Sequence, residues 1–299
     1  MSMTTPLQPT AAPRGDDGPT APVVVGTDGS ECALEAVRWA AAEAARRGAP
    51  LRIVHAASTA AHRGVAGAAP PGLSRARGVT AQAFTVARHA APTVTASTET
   101  VTGDPVSALL RAAGDAQLVV LGIATTGAPD EMVLAPVAQR VTGRSPLPVV
   151  VVPRQRHPAV GGSRPVVAVL GLDRPQDDEP VADFAAAAAT HLSRPLLVLH
   201  AEHGRPASWT ADPEAWAARH PDLTVTHEPL AHPTGGRVLA AACPTPLLVL
   251  GAGHGGLLHR AQDSLHRWLL RHCTSPMALV PPPDRRSGLE TPEDALASG

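Results

Sequence analysis

Residues Leu118 to Pro153 read LVVLGIATTGAPDEMVLAPVAQRVTGRSPLPVVVVP, and this stretch sets the expected class of the fold. Its apolar runs, Leu118 to Leu121 and Val149 to Val152, are short and end at Gly or Pro, which is typical of buried strands. Gly122 opens a loop between them, and a helix is predicted from about Leu134 to Gly143. A strand, a loop and a helix N-terminus in this order commonly hold an anionic ligand, because backbone N–H groups and the positive end of the helix dipole meet there.

Composition limits the partners and the chemistry. The chain has 299 residues, 44% hydrophobic and 17% charged, with a net charge of −1. This balance gives no electrostatic reason to expect nucleic acid or an anionic membrane as a partner, and aromatic residues, at 2%, are too rare for a base-stacking platform. All 25 basic residues are Arg. The absence of Lys excludes Schiff-base chemistry and the phosphate-binding lysine of a P-loop.

Cysteines, histidines and apolar runs predict neither a metal centre nor a membrane segment. Cys32, Cys243 and Cys273 are scattered, so we expect small buried residues rather than a disulfide framework or zinc ligands. Ten of the fourteen histidines follow Thr190, and we expect them to be solvated or capping, because a metal needs three or four convergent ligands. No apolar run approaches the roughly 18 residues of a membrane helix, and no signal peptide is recognised, which predicts a cytoplasmic protein.

The first half of the chain predicts repeated βα units. Ala21 to Val25 is predicted as a strand that runs into Gly-Thr-Asp-Gly-Ser, and Glu31 to Gly48 as an Ala-rich helix with Ser30 as its N-cap. Leu51 to Ala56 is predicted as the next strand, parallel to the first. The other predicted elements before Leu118 are a helix at Ala76 to Ala90, a half-exposed strand at Val94 to Val101 and a helix at Val106 to Ala113.

The pattern starts again near residue 165. Asp28 and Asp173 are 145 residues apart, and so are His55 and His200. The separation then drops to 129 for Gly122 and Gly251 and to 128 for Pro148 and Pro276, as if about 16 residues were deleted. An offset that is held and then shifted once indicates a tandem duplication. In the second half, strands are predicted at Pro165 to Leu170 and Pro195 to Ala201, and helices at Val181 to Leu192 and Val238 to Ala242. Pro246 to Val280 is predicted to repeat the strand, Gly loop, helix and strand that close the first half.

Several motifs in this order resemble a universal stress protein domain. They are VVVGTDGS (Val23 to Ser30), IVHA (Ile53 to Ala56), GDP (Gly103 to Pro105) and LVVLG…PVVVV (Leu118 to Val152), with similar motifs, VVAVLGLD, LLVLHA and LLVLG…SPMALV, in the second half. The resemblance implies an α/β fold of two tandem five-stranded, mostly parallel sheets with helices on both faces, paired face to face like the family's homodimers. The expected divisions are a disordered tail (1–20), domain 1 (21–154), a linker (155–164), a shortened domain 2 (165–281) and a second disordered tail (282–299).

The resemblance also implies which residues would meet an adenine nucleotide such as ATP. In nucleotide-binding members, the Asp after the first strand and the residues before it meet the adenine side, and the residue after the second-strand His offers backbone contacts. These positions are Gly26, Thr27, Asp28 and Ala56 in the first half and Leu172, Asp173 and Ala201 in the second. From the residues alone, Asp28 remains open between a ligand contact and a turn former.

The phosphate loop of the family, G-x2-G-x9-G-[ST], is degenerate in this chain. Counting from Gly122, Thr125 and Ala135 fall on the glycine positions and Pro136 on the hydroxyl position, while Gly127 is an extra glycine. In the second half the corresponding residues are His254, Asp263 and Ser264. A Cβ at a glycine position hinders close approach of the backbone, Pro136 offers no N–H, and Asp263 would repel a triphosphate. We therefore expect weak ATP binding in domain 1, through Gly122, Thr125, Gly127 and Ala135, and little or none in domain 2.

Other motifs in the chain support no separate function. Gly251, Gly253 and Gly256 match G-x-G-x-x-G, but the chain lacks the following strand that ends in an acidic residue, as a dinucleotide site needs. Gly122 to Gly127 has P-loop spacing without Lys-Ser/Thr. Ser30 lacks a nucleophile elbow.

The preferred hypothesis is a non-catalytic stress-response protein without catalytic or metal-binding residues. It would act through an unknown protein partner, through pairing of its two domains or of two chains, and through weak ATP binding. A nucleotide-hydrolysing or nucleotide-transferring enzyme on the same fold, and a ligand-free interaction module, are the alternatives.

Overall fold

The computed structural model describes residues 20–57, 71–124, 136–154, 163–172, 175–202, 216, 218–253 and 261–283. Ten strands and seven longer helices alternate along these ranges. The strands are β1 (Val23–Gly26), β2 (Leu51–Ala57), β3 (Ala96–Thr102), β4 (Leu118–Ile123), β5 (Val149–Pro153), β6 (Val166–Leu170), β7 (Leu196–Glu202), β8 (Val225–Ala231), β9 (Leu248–Gly251) and β10 (Met277–Val280). The helices are α1 (Glu31–Arg46), α2 (Pro71–Ala90), α3 (Pro105–Ala112), α4 (Pro136–Thr142), α5 (Pro175–Leu192), α6 (Gly235–Ala242) and α7 (Ala261–His272).

All ten strands form one sheet in the order β3-β2-β1-β4-β5-β10-β9-β6-β7-β8. The predicted α/β class, with five strands from each half, is confirmed. The expected face-to-face pairing is wrong, because β5 and β10 instead join the halves edge to edge, antiparallel, with Val150 opposite Ala278. Every residue of these two strands is buried. Their pairing therefore satisfies backbone groups of two apolar edges that would otherwise be open to aggregation.

The strand composition follows position in the sheet. In the six central strands every residue except Gly122 is buried, and the runs are rich in Val and Leu, as is usual for strands covered on both faces. The outer strands β3 and β8 are mostly exposed and polar. The sequence did not predict β8, whose Thr226, His227 and Glu228 dilute the apolar pattern and whose Pro229 is unfavourable in a central strand. An edge strand tolerates proline because one side of its backbone has no partner strand.

The helices divide between the two faces of the sheet. One apolar layer contains buried residues of α1, α2 and α5, and the other contains residues of α3, α4, α6 and α7. Both layers include residues from both halves of the chain, so the core is continuous across the junction at β5 and β10. On the α1 side the packing surface is largely alanine, for example Ala36, Ala40 and Ala44, which lets the helix lie close to the sheet.

Helix ends agree with the capping residues. Ser30 is the N-cap of α1 and its Oγ accepts from the Ala33 N–H (3.3 Å), as predicted. Asp104 caps α3 in the same way, with Pro105 at the first helical position. Helix α5 begins at Pro175, earlier than the predicted Val181, with Asp177 and Asp178 in a first turn where the helix dipole favours acidic residues.

Within the described ranges, none of the helices combines the length and apolar composition that crossing a bilayer requires.

Candidate functional site

The candidate site lies where the strand order reverses in the first half. Strand β1 pairs with β2 on one side and with β4 on the other, parallel to both. The connections through α1 and α3 leave the sheet on opposite faces, so a crevice opens at the carboxyl ends of β1 and β4. Ligands of open α/β sheets bind at such a point.

A cavity of about 320 Å³ occupies this crevice. That volume is near the lower end of the range of small-ligand pockets, about 300–1,000 Å³. Its wall is mainly apolar, with polar groups along the loop between β1 and α1. The lining residues are Gly26, Thr27, Asp28, Ser30, Cys32, Ala33, Val54, Ala56, Pro105, Leu109, Leu121, Gly122, Val137 and Ala138.

The structure brings five of the predicted site residues together around this cavity: Gly26, Thr27, Asp28, Ala56 and Gly122. The other three, Thr125, Gly127 and Ala135, lie outside the described residues. The residues predicted to meet the nucleoside thus lie together with Gly122 of the predicted phosphate loop, and their contact with a nucleotide stays a prediction.

The loop after β1 is fixed by its own hydrogen bonds. The Thr27 N–H donates to the Val54 carbonyl (2.9 Å), which extends the pairing with β2 by one residue. Asp28 is exposed, and its Oδ1 accepts from the Ser30 N–H (2.9 Å) in a turn in which Gly29 has φ +84°. Asp28 therefore forms the turn and also lines the cavity. A contact with a ligand stays a prediction.

His55 supports this loop and was not among the predicted site residues. Its Nδ1 donates to the Thr27 carbonyl oxygen (2.8 Å), so β2 holds the Thr27 backbone through a side chain as well as through the strand ladder. The repeat of His55 and His200 at a spacing of 145 was the available signal. This spacing aligns the two halves of the chain, but only the structure shows that the His55 ring contacts the loop after β1.

Gly26 and Gly122 are required by packing. A Cβ on Gly122 would lie 2.2 Å from the Cys32 carbonyl oxygen, at the first turn of α1. A Cβ on Gly26 would lie 2.8 Å from a Leu121 methyl and 3.0 Å from a Leu109 methyl. Glycine at these positions lets α1 and α3 approach the ends of β1 and β4. Its presence therefore does not by itself indicate contact with phosphate.

Helices α3 and α4 form the opposite wall of the cavity. Asp104, just before the lining residue Pro105, accepts from the Ser107 N–H (3.0 Å) and hydroxyl (2.9 Å). These hydrogen bonds from Ser107, together with Arg140 at 3.5 Å, hold the pKa of Asp104 below its usual value. The carboxylate of Asp104 is thus committed to the cap of α3 and to a surface ion pair with α4.

The equivalent end of the second half carries larger, polar side chains. At the spacing of 145, Ala33 corresponds to Asp178, which is 3% exposed and whose Oδ1 accepts from the Gly171 N–H (2.9 Å). At the spacing of 128, Ala138 corresponds to His266, also 3% exposed, whose Nε2 donates to the Gly251 carbonyl (2.8 Å). Two alanines that line the first cleft are therefore replaced by a buried carboxylate and a buried imidazole.

Some second-half residues implied by the resemblance can be placed. Leu172 and Ala201 are buried near the ends of β6 and β7, whereas Asp173 and His254 lie outside the described residues. Asp263 and Ser264 belong to α7. His200 stacks on His227 of the neighbouring strand, with 5.4 Å between ring centroids. Among the described residues, no group of three His, Cys, Asp or Glu side chains is arranged to hold a metal ion.

Comparison with known proteins identifies a family match in the first half and relatives along most of the chain. Residues 20–153 match the model of the universal stress protein family. Universal stress protein Rv2624c of Mycobacterium tuberculosis is 27% identical over 274 residues, covering 86% of this chain and 95% of that protein. Universal stress protein Rv1996 of the same species is 25% identical over 306 residues, covering 86% of this chain and 94% of that protein.

A solved structure shares the fold along most of the chain. The crystal structure of a universal stress protein from Archaeoglobus fulgidus superposes with a TM-score of 0.67 at 13% identity, covering 88% of this chain and 97% of that one. The first half of the chain is thus a universal stress protein domain, and the chain as a whole is similar to universal stress proteins of Mycobacterium tuberculosis at 25–27% identity.

Proposed function

We propose that this chain binds an adenine nucleotide, with ATP as the first candidate, in the cleft of its first half. The observation that carries the proposal is the cavity at the carboxyl ends of β1 and β4, lined by Gly26, Thr27, Asp28 and Ala56. The nucleoside lies in this cavity, with its base against the apolar wall and the Asp28 carboxylate available to its polar groups.

The phosphates leave the cavity toward the start of α1. Ser30, Cys32 and Ala33 from the first turn of α1 line the cavity, and the positive end of that helix dipole favours an anion there. The phosphate contacts proposed for Thr125, Gly127 and Ala135 come from the loop after β4. Because this loop lacks most of the family's glycines, the nucleotide is held weakly.

The second half takes no nucleotide in this proposal. The buried Asp178 places a carboxylate where an anionic ligand would approach, and the His266 ring replaces an alanine methyl group of the first cleft. A negative charge close to a phosphate is unfavourable even at the intermediate dielectric of a protein surface. The proposed stoichiometry is therefore one nucleotide per chain.

The proposed role is binding without catalysis. Among the described lining residues, Asp28 is engaged with the Ser30 N–H and Ser30 caps α1, which supports structural tasks for both. The nucleotide would then bias contacts with an unidentified protein partner in the cytoplasm or with a second copy of the chain. Nucleotide hydrolysis or transfer, and a ligand-free interaction module, are the alternatives that the experiment separates.

Calorimetric titration of ATP with Mg²⁺ into the full chain tests the proposal. We expect saturable binding of one equivalent, at least about tenfold weaker in Asp28→Ala, which corresponds to about 1.4 kcal/mol. Asp115→Ala is the matched control, because Asp115 lies just before β4, at the opposite end of the sheet, and binding should be unchanged.

The other outcomes decide between the alternatives. Continuous release of ADP or phosphate during the titration would support the enzyme. No heat at millimolar ATP, with the fold intact by circular dichroism, would leave the ligand-free module.

A further inference from the structure

The structure brings Cys243 and Cys273 into contact, although their separation along the chain predicted no joint role. Their Sγ atoms are 3.5 Å apart, and both cysteines are free thiols. Cys243 ends α6 and Cys273 directly follows α7. A disulfide has an S–S distance of about 2.0 Å, so side-chain movements of about 1.5 Å would join them.

The surroundings of the pair hold the two chain segments together. Thr245, two residues after Cys243, donates its N–H to the Ser275 Oγ (3.0 Å). The Cys273 Sγ in turn lies 3.4 Å from the Ser275 carbonyl oxygen. The thiols therefore meet within a hydrogen-bonded junction and not between two independent loops, which keeps them close without a covalent bond.

The two thiols differ in access and in acidity. Cys243 is half-buried and reachable from solvent, whereas Cys273 is 2% exposed. The contact with the Cys273 S–H lowers the pKa of Cys243, although burial opposes the effect. The same contact, together with burial, raises the pKa of Cys273. Because the thiolate is the reactive form, Cys243 is suited to attack an external oxidant and Cys273 to react second.

We propose that Cys243 and Cys273 form a redox site at which a hydroperoxide is reduced while the two thiols are joined as a disulfide, which an external dithiol then reduces back to two thiols. With H2O2, the Cys243 sulfur attacks one oxygen, the O–O bond breaks, and the leaving oxygen takes up a proton and departs as water. The Cys273 sulfur then attacks the resulting sulfenic acid at Cys243, and the hydroxyl leaves with the Cys273 proton as a second water. Two thiols and one H2O2 give one disulfide and two waters.

This site is separate from the nucleotide cleft. Cys243 and Cys273 precede β9 and β10, at the amino ends of these strands, whereas the clefts lie at the carboxyl ends. Its test therefore does not depend on nucleotide binding. Oxidation would tie the end of α6 to the end of α7 and so fix the helix that carries His266.

Limited oxidation of the reduced full chain with H2O2 tests the proposal. After the remaining thiols are alkylated, peptide mass spectrometry should find Cys243 linked to Cys273 within one chain, with Cys32 alkylated, and dithiothreitol should reverse the link. Cys273→Ser should accumulate a sulfenic acid at Cys243 that dimedone traps. Cys32→Ser is the matched control and should form the link as the wild type does.

The proposal is overturned if peroxide leaves both cysteines alkylatable while Cys32 is oxidised. It is equally overturned if the link joins two chains, or if Cys243→Ser consumes peroxide at Cys273 as fast as the wild type. Circular dichroism of each variant shows whether a negative result comes from unfolding.

Discussion

The two halves of the chain have the same strand reversal at the same end of one sheet, but different side chains lie there. In the first half, Ala33 and Ala138 border a cavity of about 320 Å³. In the second, the corresponding residues are Asp178 and His266, which are buried and hydrogen-bonded to backbone groups at the ends of β6 and β9. The two halves thus share their strand order, while a buried carboxyl group and a buried imidazole in the second half take the places of two cavity-lining alanines.

The difference lies in which groups can satisfy the backbone at the strand ends. Backbone groups at a strand end need partners, which in an open cleft are water or ligand and in a closed one are side chains. Asp178 satisfies the Gly171 N–H and His266 the Gly251 carbonyl. Once these internal partners are present, a ligand would have to displace them.

The largest expected effect comes from Gly122→Ala. The new Cβ would lie 2.2 Å from the Cys32 carbonyl oxygen, so α1 must move away from β4. We expect a loss of about 3 kcal/mol in the free energy of unfolding, measured by urea denaturation. Gly78→Ala in α2 is the control, because no atom among the described residues lies within 4 Å of its Cβ. It should be neutral or stabilising by up to about 1 kcal/mol, and equal losses in both variants would contradict the account.

His266→Ala should remove the imidazole that stands in the second half at the position of Ala138. The variant loses a buried ring and its bond to the Gly251 carbonyl, so we expect destabilisation of about 2 kcal/mol in the same assay. Arg271→Ala, on an exposed turn of the same helix, should change stability by less than about 0.5 kcal/mol. We expect no second nucleotide equivalent in His266→Ala, because Asp178 remains in place.

Ala138→His introduces into the first cavity the imidazole that His266 carries at the equivalent position of the second half. The imidazole should occupy the cavity as its counterpart does in the second half, so nucleotide affinity should fall at least about tenfold, or about 1.4 kcal/mol. Gln139→His introduces the same side chain at a neighbouring residue that does not line the cavity and should leave affinity unchanged. If calorimetric titration with ATP gives the same affinity for Ala138→His as for the wild type, the nucleotide binds outside this cavity.

The smallest expected effect concerns His200, which is the counterpart of His55 in the second half. His55 bonds to the Thr27 carbonyl, whereas burial and then the neighbouring His227 lower the pKa of His200 from 6.5 to about 4. The unfolded chain therefore takes up a proton between pH 6.5 and 4 that folded His200 does not, so stability is lost as pH falls through this window.

His200→Gln should reduce this acid-induced loss. The full shift would correspond to about 3 kcal/mol, but the ring is nearly half solvated, so we expect only about 1 kcal/mol. Thermal unfolding at pH 7 and pH 4.5 measures it, with the exposed His89→Gln as control. An identical pH dependence in wild type and His200→Gln would refute this role of His200.

Sequence patterns predicted the parts of the fold that depend on local periodicity. Buried Val and Leu runs marked the central strands, and the residue spacing of 145 aligned the halves. The resemblance to universal stress proteins implied Gly26 to Asp28 and Ala56 as site residues, and the structure brings them to one cleft. Strand β8 was missed because Pro229 and its polar neighbours weaken the pattern, which is acceptable at a sheet edge. The joining of β5 to β10, the closure by Asp178 and His266, and the contact of Cys243 with Cys273 depend on long-range packing that periodicity does not encode.

Photoaffinity labelling with 8-azido-ATP shows which half of the chain the adenine base contacts, and so tests whether the nucleotide binds in the first-half cleft. We expect covalent label on peptides from residues 20–153, prevented by excess unlabelled ATP and greatly reduced in Ala138→His. Label of equal or greater intensity in residues 166–280, or label that unlabelled ATP does not prevent, would show that the nucleotide does not bind specifically in this cleft.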